Sequence, residues 1–143
     1  MNLNEKDEQM IALLRSGGRM AVSELARRLS VSRTAAQMRL TKLERNGVIA
    51  GYAAVMSPHY LGQRLRALVM MKFQPGAREG IERALSDMPQ VSALYSISGT
   101  FDLAGVISAG SMDDLDHIID RIGCLDGMGE TMSSIILSTK IVR

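Results

Sequence analysis

The chain is predicted to be an α+β protein in two parts, three short helices followed by a β-α-β-β-α-β unit. Apolar residues recur at helical spacing up to Gly47, then fall into short runs that alternate with two further helical stretches. At 143 residues there is room for one ordinary domain or two small ones. A hydrophobic fraction of 46% with a net charge of only +2 rules out a disordered chain. No run approaches the roughly 18 to 20 apolar residues that a membrane helix needs, and MNLNEKDEQM is acidic where a signal peptide would be basic. The single cysteine, Cys124, allows no internal disulfide and no cysteine-based zinc site, so a cytoplasmic location is expected.

The first helix is capped by Asn4, with Asp7 as its capping-box partner and Leu3 as the staple. Met10, Ile11 and Leu14 share one face, and Gly17-Gly18 stops the helix. A second helix covers Val22 to Leu29, with Leu25, Ala26 and Leu29 inward and Ala21 where Ser or Thr would cap it. Only Ser30-Val31-Ser32 separates it from a third, capped by Ser32, striped by Ala36, Leu40 and Leu43, and ending near Asn46-Gly47. Two helices joined by so short a turn, with small Ala26 at their close approach, fit a helix-turn-helix unit over residues 1–50. Other helical hairpins share that pattern. Val48–Met56 reads as a connecting strand, and residues 51–65 as a strand and loop linker.

In residues 66–143, Arg66–Phe73 is a strand apolar on both faces, and Pro75-Gly76 turns the chain. Glu79–Met88 is a helix with Ile81, Ala84, Leu85 and Met88 on one face, ended by Pro89. Val91–Ile97 and Phe101–Ser108 are strands across the hairpin-length gap Ser98-Gly99-Thr100. Ser111 caps a helix carrying Met112, Leu115, Ile118, Ile119 and Ile122, and Gly123 closes it. After a glycine-rich loop, Thr131–Val142 is the final strand. The order is the ferredoxin-like arrangement. Its two helices cover one face of the sheet, yet Leu68 and Met70 make the other face apolar too. A second copy of the chain is the simplest cover, so a homodimer is expected.

Charge is unevenly spread. Residues 1–50 carry nine lysines and arginines against five acids, whereas the rest carries eight against ten. A basic front third on a near-neutral body suits a nucleic-acid-binding module, although a solvated arginine-rich surface fits the charge alone equally well.

These residues, taken in order, resemble the Lrp/AsnC family of bacterial and archaeal transcription factors. The likeness runs through Asp7 to Ile11, Arg19, Glu24-Leu25-Ala26, Val31-Ser32, Arg39-Leu40, Leu43-Glu44, Gly47-Val48-Ile49 and Gly51-Tyr52. It continues in Leu61-Gly62, Pro89-x-Val91, Gly99-Thr100-Phe101-Asp102, Gly127-Met128 and Thr131-x-Ser133. The resemblance implies a helix-turn-helix domain tied by a strand linker to a ferredoxin-like effector-binding and oligomerisation domain. It further implies dimers that assemble into tetramers or octamers, binding to promoter double-stranded DNA, and modulation by an amino acid lodged between dimers.

In the third helix, Arg33, Thr34, Gln37, Met38 and Thr41 lie off the apolar stripe, and the N-terminal turn from Ser32 to Met38 stands nearest the base edges. Gln37 suits adenine, Arg33 guanine, and the methyls of Thr34 and Met38 thymine. Arg39, Lys42 and Arg45, with Arg27 and Arg28 on the second helix, are placed for phosphates. Position 38, often basic in the family, is Met here, which weakens any carry-over of a family operator sequence.

The family's effector pocket matches Gly99, Thr100 and Asp102 together with Gly127, Met128, Thr131 and Ser133. Asp102 suits an ammonium group; loop amides near Gly127 and Gly129 and the hydroxyls of Thr131 and Ser133 suit a carboxylate. Met128, Met132 and Tyr95 are candidate lining. Gly99 equally suits a plain hairpin turn, and Asp102 a loop cap. No cofactor, metal or catalytic residue is expected. His59 and His117 have no sequence-near cysteine or second histidine, Asp113, Asp116 and Asp120 read as a solvated helix face, and Cys124 lacks an activating base. Two alternatives use the same architecture: a siroheme-decarboxylase-like enzyme, and an effector-sensing protein with a vestigial DNA head.

Overall fold

The computed structural model describes residues 2–142, which divide between Val55 and Met56 into two compact units. The first holds α1 (Glu5–Ser16), α2 (Val22–Leu29) and α3 (Arg33–Arg45). The capping box at its start is complete: Asn4 Oδ1 accepts from the Asp7 amide and Asp7 Oδ2 from the Asn4 amide, each at 3.0 Å. Gly17 ends α1, and its amide donates to the Leu13 carbonyl. Ala21 starts α2 with no side-chain cap, as its missing hydroxyl requires. Ser32 Oγ accepts from the Ala35 amide at 3.1 Å and starts α3.

Two contacts from one turn of α1 tie the three helices together. Lys6 Nζ donates to the Leu29 carbonyl at 2.7 Å, taking one of the orphan acceptors at the end of α2. Asp7 reaches α3. Between these contacts lies the core of Met10, Leu25, Ala26, Leu29, Ala36 and Leu43, with Leu3, Leu14, Leu40 and Ile49 packed on it. Each fully buried Leu or Met contributes about 1.5 to 3 kcal/mol.

The connecting strand expected over Val48–Met56 does not form. Gly51 to Ser57 is neither helix nor strand. A strand needs a neighbour to complete its ladder, and no described segment of this single chain lies alongside to supply one. The chain instead enters a short helix, α4 (Pro58–Gly62), which Ser57 caps from its Oγ to the Tyr60 amide at 3.1 Å with Pro58 in the first turn.

The second unit continues with β1 (Leu65–Phe73), α5 (Arg78–Ser86), β2 (Val91–Ser96), β3 (Leu103–Ala109), α6 (Met112–Gly123) and β4 (Met128–Ile136). The four strands form one antiparallel sheet in the order β2-β3-β1-β4. This is the ferredoxin-like arrangement, with the connection between β2 and β3 widened to residues 97–102. Ala67, Val69 and Met71 of β1 join Leu103 and Ile107 of β3, Ile81 and Leu85 of α5, and Leu115, Ile118 and Ile122 of α6 in the core. The ladder places Leu68 and Met70 on the opposite face, beside Ala104 and Val106 of β3 and Met132 and Ser134 of β4.

The last strand differs from its expected range, Thr131–Val142. It starts three residues earlier and stops at Ile136, because the ladder runs out where Arg66 pairs with Ile136. Beyond it Leu137 is 92% exposed, and Arg66 donates from its guanidinium to Thr139 Oγ1. Gly123 is the last residue of α6, and Cys124 takes the cap position expected of it. Gly127, at φ +80°, is required: a Cβ there would collide with the Ala77 Cβ. Its carbonyl accepts from the Gln74 amide at 3.0 Å. No helix among the described residues is long and apolar enough to cross a membrane.

Candidate nucleic-acid interface

The first unit presents α3 with Ala36 and Leu43 buried and Arg33, Thr34, Gln37, Met38, Lys42 and Arg45 exposed. Its interior stripe is the one the spacing predicts, so the side chains expected to read bases do share an outer face. Ser32 is exposed, and its Oγ accepts the capping bond from Ala35 while its O–H remains available. Gln37 Nε2 donates to Thr41 Oγ1 at 3.2 Å. Arg33, Lys42 and Arg45 make no ion pair among the described residues.

Arg39 is a correction. The spacing assigns it to a DNA phosphate, but its Nη1 donates to Asp7 Oδ1 at 2.5 Å and to Asn4 Oδ1 at 2.8 Å. Asp7 is 1% exposed, and the Arg39 Nε is buried without a partner. The guanidinium therefore faces α1, and what it holds is the angle of α3 against the capping box. The Asp7 carboxyl is held below its usual range, first by the Asn4 amide and then, against the opposing effect of burial, by Arg39. Sequence spacing carries no sign of this contact, because its partners lie 32 residues apart.

Arg27 and Arg28 sit on the exposed side of α2, where both are already engaged. Glu24 accepts from Arg27 Nε at 2.9 Å, Arg27 Nη2 at 2.5 Å and Arg28 Nε at 2.8 Å. These bonds pull the Glu24 carboxyl down to about 2. The spacing of three and four residues is a helical signal that could have shown the group in advance. All three side chains remain partly solvated, so a phosphate can exchange with the carboxylate. At the far end of α3, Tyr52 donates its hydroxyl to Glu44 Oε1 at 2.6 Å, and partial burial with that carboxylate raises the phenol to about 12.

In the second unit the residues matched to an effector pocket gather at one end of the sheet. Gly99, at φ +108°, and exposed Thr100 lie in the connection from β2 to β3. Asp102 is half-buried there; its amide donates to the Met71 carbonyl at 2.8 Å and its Oδ2 accepts from the Phe73 amide at 3.3 Å. Met128 pairs with Phe73 and Thr131 with Met71 across the same strand. Thr131 and the start of β3 are thus two ladder spacings apart, about 10 Å. Ser133 pairs with Val69 further along β4. Gly127 opens onto a separate recess of about 550 Å³ beside Gln74, Gly76, Ala77 and Asp126. Within one chain these groups flank a stretch of sheet and do not enclose a ligand. No group of three or more His, Cys, Asp or Glu side chains that could hold a metal ion occurs among the described residues.

Comparison with known proteins matches both units. Residues 3–44 fit the model of the AsnC-type helix-turn-helix domain, and residues 66–143 that of the Lrp/AsnC ligand binding domain. The HTH-type transcriptional regulator FL11 of Pyrococcus horikoshii is 26% identical over 137 residues, 96% of this chain and 91% of that protein. The leucine response regulatory protein LrpA of Mycobacterium tuberculosis is 30% identical, with a TM-score of 0.82 over 98% of this chain and 96% of that one. A Neisseria meningitidis transcriptional regulator in complex with L-Met is 25% identical, with a TM-score of 0.89 over 96% and 91% of the two chains.

Proposed function

The chain belongs to the Lrp/AsnC family of DNA-binding transcriptional regulators, and from that premise we propose that it binds promoter duplexes as a homo-oligomer in the cytoplasm under the control of an amino acid or similar small effector. The observation that carries the reading is the outer face of α3. Three cations without intramolecular partners among the described residues, Arg33, Lys42 and Arg45, flank uncharged side chains on a helix whose opposite face is fixed by the core. Ser32, Arg33, Thr34, Gln37 and Met38 meet base edges, while Lys42, with Arg27 and Arg28 once released from Glu24, meets phosphates.

Two features of the second unit support the rest. Its uncovered sheet face carries Leu68, Met70, Val106, Tyr95 and Met132, an apolar surface that a second copy would bury. The sheet end that gathers Asp102, Thr131 and Met128 is open within one chain, so a ligand there is enclosed by another copy. L-methionine, bound by the Neisseria regulator, is the first effector to try.

Fluorescence anisotropy against DNA from upstream of its own gene, with a random duplex as competitor, tests the reading. Selective binding is expected, with log affinity falling against log salt at a slope of about −3 or steeper per head. A shift on adding L-methionine or a pool of amino acids supports effector control. Equal binding to both duplexes at every salt concentration would overturn the regulator reading.

A further inference from the structure

Resting on the proposal that α3 enters the major groove, we infer that the outer face of this helix reads an A·T step: Gln37 pairs with adenine, Met38 packs on the 5-methyl group of thymine, and Thr41 is the positioning residue that sets the Gln37 carboxamide. The middle of the face is uncharged. Gln37, Met38 and Thr41 lie between Arg33 at one end and Lys42 and Arg45 at the other. Cations at the ends suit the flanking backbone and leave neutral groups for the bases.

The carboxamide has a partner on its own helix. Gln37 Nε2 donates to Thr41 Oγ1 at 3.2 Å, one helical turn further on. That bond uses one of the two amide N–H groups and leaves the other beside the carbonyl oxygen. One donor next to one acceptor complements the N7 and N6 amino group of adenine. Guanine presents two acceptors at those positions, so the Gln37 carbonyl would meet the lone pairs of O6. Holding the amide in advance lowers the ordering cost of the pair and sharpens the choice.

Met38 supplies the second half. It is 69% exposed and takes no part in the core of the first unit. With Gln37, Thr41, Lys42, Arg45 and Asn46 it bounds a shallow depression of about 410 Å³. The only apolar group that a base pair offers in the major groove is the thymine methyl. A thioether beside a depression of that size removes this methyl from water.

Selection from a randomised duplex pool, with titration of the enriched duplex, tests both halves. The wild-type chain is expected to enrich an A·T pair whose preference falls about tenfold in Gln37→Ala. Thr41→Val, which removes the acceptor, is expected to weaken the same preference, and Thr41→Ser, which keeps it, to retain it. Replacing the enriched thymine by deoxyuridine removes only the methyl. That change is expected to cost the wild type about fourfold in affinity and Met38→Ala nothing. Enrichment of G·C pairs, or base preferences unchanged in Gln37→Ala and Met38→Ala, would overturn the inference and leave the regulator reading intact. Failure of the wild-type chain to enrich any sequence would overturn both.

Discussion

Arg39 and Glu24 show how far an exposed-looking charge can be from a free one. Asp7→Asn keeps the shape of the capping box but leaves the Arg39 guanidinium half-buried and without its counter-charge. It is expected to destabilise the first unit by about 2 kcal/mol, read from thermal or urea unfolding monitored by circular dichroism. The effect has a pH signature. Because the folded Asp7 carboxyl is held below its ordinary value of 3.8, its contribution is complete above that pH and lost as pH falls through the lower folded value. The gap between wild type and Asp7→Asn is therefore full at pH 7 and closes below about pH 4. Glu24→Gln acts on binding. Freed from their carboxylate, Arg27 and Arg28 are expected to raise affinity for a random duplex and steepen the salt slope by up to about 2 per head, measured by anisotropy. An unchanged slope would mean that neither arginine meets phosphate. At this scale the sequence was partly legible. Contacts three or four residues apart, such as Glu24 with Arg27, arise from helical geometry, whereas Asp7 with Arg39 exists only after three helices have packed.

Elements were legible where a local signal fixes them. Asn4, Ser32 and Ser111 each cap the next helix, because the cap needs only a side-chain oxygen and nearby amides. Strand limits are different, since a strand ends where its neighbour does. Val48–Met56 has the composition of a strand and no ladder, and the stretch after Ile136 outruns β1. The helix-turn-helix segment around α2 gives two further tests. Ala21 has extended backbone angles, φ −67° and ψ 152°, that suit a capping serine. Ala21→Ser is expected to stabilise the first unit by about 1 kcal/mol. Ser30 closes α2 at φ 54°, a left-handed conformation that glycine adopts without strain. Ser30→Gly is expected to add about 0.5 to 1 kcal/mol, and destabilisation would show that the Ser30 side chain has a role of its own. Both are read from the urea midpoint at constant slope.

For the whole molecule, the unevenness of charge and the doubly apolar β1 are legible in the amino-acid sequence, and so is the division into a basic helical part and a near-neutral mixed part. What occupies the uncovered sheet face, and what completes the end holding Asp102 and Thr131, is not. Asp102 lies in the connection from β2 to β3 and Thr131 on β4, sites that one chain does not enclose, so what surrounds them depends on the proposed assembly. Light scattering at micromolar concentration is expected to give at least twice the 15.6 kDa of the chain. Met132→Lys, which puts a charge on the open face, is expected to shift that mass toward the monomer with the circular dichroism spectrum retained. A monomeric wild type would overturn the dimer.

The bracing of the three helices from one turn of α1 has an evolutionary consequence. Lys6 holds the end of α2 and Asp7 holds α3 through Arg39, while Ala36 and Leu43 anchor the same inner side. Positions 33, 34, 37, 38 and 41 take no part in that bracing. Exchanges there among helix-compatible side chains leave the Lys6, Asp7 and Arg39 contacts in place, so a lineage can alter its target site without first altering the architecture of the head.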